Sequence, residues 1–187
     1  MRSRSLTILV IFMFISSSSI FAQEKKVQTA QKIELPQLNL EQKLDRAVMN
    51  LSAFIIGGIA HAKSMGKTPE DYGKFIGEIF APGWEETKGK SIAEYIENMY
   101  KNFQADKNCQ WEILEESDKM VKVRMKRFGN TAVKAYERTG VTPQEYDRCM
   151  SKIMQTITNY LGFYYNQGLQ DDWIIFWIST EKEIIQN

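Results

Sequence analysis

Apolar residues recur at helical spacing from Leu40 through Leu44, Ala47, Val48, Leu51, Phe54, Ile55 and Ile59 to Ala62, which predicts a long first helix. Asn39 and Gln42 form a capping pair ahead of it, and Gly66 ends it as a glycine just past the last turn. Gly57 and Gly58 each weaken such a helix by about 1 kcal/mol relative to Ala. Their presence predicts another backbone packing closely there.

Three further helices are announced by their starts. Thr68-Pro69-Glu70-Asp71 and Thr142-Pro143-Gln144-Glu145 each place a hydroxyl cap, a proline at the first helical position and a carboxylate at the third. Ser91-Ile92-Ala93-Glu94 is a capping box. The helix from Pro69 is expected to bury Tyr72, Phe75, Ile76, Ile79 and Phe80, and the one from Ile92 to bury Tyr95, Ile96, Met99 and Phe103. The longest, from Pro143, carries Tyr146, Cys149, Met150, Ile153, Ile157, Tyr160, Leu161 and Tyr164 on one stripe. A short helix is expected over 131–138. The two Thr-Pro starts match at a constant offset, Gly66 to Gly140 and Tyr72 to Tyr146 among others. Their upstream elements differ, so shared capping chemistry explains them better than duplication.

Between these groups the period changes to two. Residues 109–115 and 119–128 read as a hairpin around Glu116-Ser117-Asp118. A three-residue loop would set Trp111 opposite Val123, Ile113 opposite Val121, Cys109 opposite Met125 and Glu112 opposite Lys122. Residues 173–180 form a final strand, apolar on both faces from Trp173 to Ile178 and therefore central. The fold class is α+β. N-terminal helices precede a β-β-α-α-β unit whose small antiparallel or mixed sheet carries the long helix across one face.

The first 22 residues change the composition. Arg2 and Arg4 precede a stretch from Leu6 to Ile15 broken only by Thr7, then Ser16 to Ser19, then Ile20-Phe21-Ala22 ahead of Gln23. This is the pattern of a cleaved secretory signal, and the run is too short and too interrupted for a spanning helix. The expected organisation is a signal peptide over 1–22, a polar tether over 23–38 and a single domain over 39–187, placed in the periplasm or outside the cell. After cleavage 22 basic residues face 23 acidic ones. A nearly neutral chain offers no basic face for nucleic acid, and no later segment is apolar enough to span a bilayer. Cys109 and Cys149 lie 40 residues apart, and export permits a disulfide between them. Two buried free thiols fit the same places.

No nucleophile elbow, phosphate loop, dinucleotide fingerprint or Cys-X-X-Cys occurs. One histidine, His61, and two distant cysteines give no metal-ligand spacing, so neither metal nor cofactor is expected. The aromatic content is more informative, with four Trp, eight Tyr and seven Phe after the signal. Tyr160, Tyr164, Trp173, Phe176 and Trp177, with His61 on the first helix, are the candidate ligand-binding residues. The order of hairpin, helix and final apolar strand, over about the last 80 residues, is similar to that of small ligand-binding domains related to 4-vinyl reductases and aminothiazoline-carboxylate hydrolases. The final strand lacks the glycine and cysteine pattern of those domains, so no residue role is carried over.

Three functions follow as expectations. The first is non-enzymatic binding of a small apolar or aromatic ligand between sheet and helices. The second is an interaction or homodimerisation module using aromatic surface near Trp84 or the final strand. The third is a cofactor-free hydrolase using Cys109, Cys149 or His61. An enclosed apolar cavity favours the first, an exposed aromatic patch the second, and an accessible thiol near a base the third.

Overall fold

The structure, a computed structural model, describes residues 36–127 and 132–182. The signal segment, the tether up to Leu35 and the expected strand end at Phe128 lie outside the described residues, as does the expected helix start at Thr131. From Gln37 onward the chain forms one compact unit. Its elements are α1 (Leu40–Ser64), α2 (Pro69–Phe80), a 3-10 segment (Ala81–Thr87), α3 (Ile92–Phe103), β1 (Trp111–Glu116), β2 (Met120–Lys126), α4 (Val133–Thr139), α5 (Pro143–Tyr160), β3 (Tyr164–Gln170) and β4 (Trp173–Ser179). The starts at Asn39, Thr68, Ser91 and Thr142 are all reciprocal capping boxes.

The α+β class and the long helix on one face of the sheet are present, and the sheet has a fourth strand. It is antiparallel in the order β1-β2-β4-β3, so β4 is central. The extra strand is β3, whose first residue, Tyr164, is expected from periodicity on the long helix. Gly162, at φ +89°, stops that helix, and the chain then turns back through Asp171-Asp172 to pair Gln170 with Trp173.

The hairpin register also differs from expectation. Trp111 pairs with Met125, Glu112 with Arg124 and Ile113 with Val123, and after a shift at Leu114 Glu115 pairs with Lys122. The Ser117 N–H donates to the Met120 carbonyl at 2.8 Å, which closes a two-residue turn. The bulge restores the facing that this tighter turn alone would have lost. Opposite charges still meet on the outer face, as Arg124 with Glu112 and Lys122 with Glu115. Cys109 precedes the strand, its N–H donating to the Asp106 carbonyl, and does not pair with Met125.

The inner face of the sheet buries Val121, Val123, Met125, Ile174, Phe176, Ile178 and Tyr165 beneath α3 and α5. Tyr95 of α3 is fully buried and its hydroxyl meets that of Thr158 on α5 at 2.9 Å. On its other side α5 carries α2, so the two Thr-Pro helices pack on each other.

Here the expected face of α2 holds only in part: Tyr72 and Ile76 are half-buried against the core, and the other three residues are not. Its buried side is Pro69, Gly73, Gly77 and the following Ala81, while Phe75, Ile79 and Phe80 stay 57%, 55% and 56% exposed. The reason is distance of approach. A Cβ on Gly73 would lie 2.4 Å from the Cys149 carbonyl oxygen, and one on Gly77 2.6 Å from the Thr156 Cβ. Backbones this close admit only a face without side chains, and the large residues are turned outward.

Candidate functional site

The six residues expected to share a ligand site are distributed over four surroundings. Phe176 is 1% exposed and stacks with Tyr165 and edge-on with Trp111 inside the core. Trp173 and Trp177 alternate with it onto the opposite, helix-free face of the sheet, and Tyr164 joins that face at the edge strand. Tyr160 ends α5, donates its hydroxyl to Glu85 and lies under Lys88, whose Nζ is 4.5 Å from the ring centroid. His61 is exposed on α1.

The helix-free face of the sheet covers its own aromatics. Arg124 Cζ and Lys126 Nζ sit 4.7 and 4.9 Å from the Trp173 ring centroid, and Lys122 Nζ sits 5.5 Å from that of Trp177. The cations are themselves held by Glu112, Glu115 and Asp172. The charged groups thus lie over the faces of the indoles, where the ring quadrupole attracts them, and the neighbouring carboxylates neutralise them.

Between sheet and helices the space is small. Met99, Met125, Met150, Met154, Tyr165 and Phe176 are among the residues around an apolar gap of about 20 Å³. Asp147 and Gln167 border this gap and also an outer groove between α5 and β3 of about 510 Å³. The Asp147 carboxylate is buried and receives both Nε (3.1 Å) and a terminal nitrogen of Arg127. Burial raises its pKa above the ordinary carboxylate value, opposed by Arg127. Gln167 accepts a hydrogen bond from the Tyr165 hydroxyl at 2.6 Å.

Both cysteines are free thiols. Burial pushes the Cys149 thiol up to about 12 and also raises that of half-buried Cys109, with Asp106 adding to the latter. Neither environment favours the thiolate that nucleophilic catalysis requires. Among the described residues no cluster of three or more His, Cys, Asp and Glu could hold a metal ion, and no helix is long and apolar enough to cross a membrane.

The feature that sequence reasoning missed lies on α1 and α2. The first helix buries Ser52, Ile56, Ile59 and Ala62. A second stripe, Leu40, Leu44, Ala47, Leu51, Phe54, Gly58, His61 and Met65, runs beside it at alternating steps of four and three. That is a heptad seam, and it faces water, with Leu40 82%, Leu51 61%, Phe54 78% and Met65 59% exposed. The stripe continues onto α2 across a hollow of about 560 Å³ bordered by Gly58, His61, Met65, Tyr72 and Phe75. Gly58 fits against the Tyr72 ring, whereas a Cβ on Gly57 would meet nothing within 4 Å. The alternating spacing is the signal that carries this seam, and it is masked because the buried stripe of the same helix overlaps it in sequence.

No family model, no curated protein and no solved structure matches this chain.

Proposed function

We propose that the protein is an exported, non-enzymatic interaction module that docks a protein partner through the outer face of α1 and α2. The observation that carries this reading is the inversion of α2, which packs its glycines inward and leaves Phe75, Ile79 and Phe80 more than half exposed. Side chains of this size contribute about 1.5–3 kcal/mol each when fully buried. Contiguous apolar surface of this extent on a small domain marks an interaction site. A photo-crosslinking residue at position 75, introduced in cells that export the protein, should give a discrete adduct whose partner peptide mass spectrometry identifies. The same residue at Leu169, on the edge strand β3, should give little. Equal or absent adducts at both positions would sink the reading. Mass analysis of the exported chain should place its first residue at Gln23, as the Arg2–Ala22 pattern requires.

A second reading rests on the methionine-lined gap. Thioether side chains adapt their shape, and an outer groove reaches the gap at Asp147 and Gln167. A small apolar ligand would enter by displacing Met150 and Met154, since an ordinary site needs about 300 Å³ or more. Native mass spectrometry of the exported protein tests it: added mass that disappears on denaturation supports a ligand, and a bare chain rejects one.

A further inference from the structure

We infer that the partner on this face is a second copy of the chain, with α1 packed antiparallel against α1 about a twofold axis near residue 56. The inference rests on the docking reading above and names its occupant. A heptad seam is the pattern by which one helix meets another, and here it runs the length of a helix of 25 residues.

The order of large and small residues along the seam decides the orientation. Around an axis at residue 56, Phe54 lies against the partner's Tyr72 where that ring covers Gly58, Leu51 over its His61 and Ala47 over its Met65. Gly57, beside the axis with open space in front of it, lets the two backbones approach. A parallel pair would press Phe54 against Phe54 and leave Ala47 facing Ala47 across a void, which close-packed interfaces avoid. A contact in which each copy offers the same patch closes at two and cannot propagate.

The area is sufficient. Aromatic side chains present ~150–250 Å² each, so Phe54 and Phe75, at 78% and 57% exposed, contribute roughly 200–340 Å². Leu40, Leu51, Met65 and Ile79, each more than half exposed, bring the face towards the ~800 Å² that one partner supplies to a standard interface. The rim carries Lys67, Asp71, Lys74 and Glu78, the last two paired. A mixed rim suits a protein surface, whereas an anionic bilayer selects a basic one.

Sedimentation of the purified protein up to ~1 mM should show a dimer. Phe54→Glu should abolish it, and Gly57→Leu should weaken it at least ~10-fold. Gly57→Leu should not lower the melting temperature of the monomer, because leucine improves the helix and meets no neighbour. Leu169→Glu, on β3, should leave the dimer unchanged. Spin labels at Lys43 should lie ~40 Å apart in the antiparallel pair and ~10 Å apart in a parallel one. A monomer at every concentration, a dimer indifferent to both α1 substitutions, or the short label distance would each overturn the inference. If the chain is monomeric yet position 75 still captures a different, identified protein, the docking reading stands and the second copy fails. If the protein instead floats with phosphatidylcholine vesicles in a manner that requires Phe54 and Phe75, both fail.

Discussion

Two surfaces of this domain are rich in large apolar side chains and carry no layer above them among the described residues, and they are finished differently. On the sheet, Trp173 and Trp177 lie beneath Arg124, Lys126 and Lys122, and each of those cations has a carboxylate partner. On the helices, Phe54, Phe75 and Ile79 have no such cover and remain more than half exposed. The sheet face is covered within one copy, because the paired cations lie over the indoles in contact with the ring faces. The helical face has no such finish among the described residues. Exposure of apolar residues therefore separates into a face covered by its own chain and one left open, and the proposed interface uses the open one.

The largest effect expected is the reference for both surfaces. Phe176→Ala, in the central strand and 1% exposed, should cost about 3–5 kcal/mol in unfolding free energy. Trp177→Ala, one residue on and facing outward, should cost about 1–2 kcal/mol, part of it the lost Lys122 contact. Denaturant unfolding of the two variants checks the pair. Equal losses would mean that the outer sheet face is packed as tightly as the core, and the contrast with α1 and α2 would lose its basis.

A smaller effect tests what the cover does. Arg124→Ala should cost about 1 kcal/mol and raise binding of an apolar dye, because Trp173 loses the side chain whose guanidinium lies over it. Arg124→Met keeps a stem without the charge and should restore low dye binding. If both variants bind dye alike, charge rather than cover finishes the face.

Much of this architecture is legible from local chemistry. The four capping boxes, the hairpin and the central strand follow from cap residues and apolar periodicity, which act over a few neighbours. What the sequence hides depends on approach between distant elements. Gly73 and Gly77 look like defects in an apolar helix until α5 is placed against them, and only then does the aromatic side of α2 turn outward. The turn at Asp118-Lys119 and the bulge after Ile113 compensate each other, so either one read alone gives the wrong register. The edge strand β3 reads as polar because its outer residues, Asn166, Gly168 and Gln170, face away from the helices. The candidate ligand residues scatter for the same reason: neighbours in sequence on β4 point to opposite faces. The heptad seam on α1 is local as well, but its apolar positions interleave with those of the buried stripe. Together they read as one broad apolar face until burial separates Ile56 and Ile59 from Phe54 and Leu51.

The smallest effect separates the two surfaces most sharply. Phe75→Ala should change the stability of a dilute, monomeric sample by no more than about 0.5 kcal/mol, since its side chain is 57% exposed and sits over no core residue that depends on it. In a concentrated sample the same substitution should lower the melting temperature, because a dimer stabilises its folded members by mass action and the variant weakens it. Trp177→Ala should lower the melting temperature equally at both concentrations. A concentration-dependent loss for Phe75 beside a constant loss for Trp177 is the signature of one face completed by a partner and one completed by itself. A Phe75→Ala loss that is large and independent of concentration would place that ring in the monomer's own packing and remove the reason for an interface there.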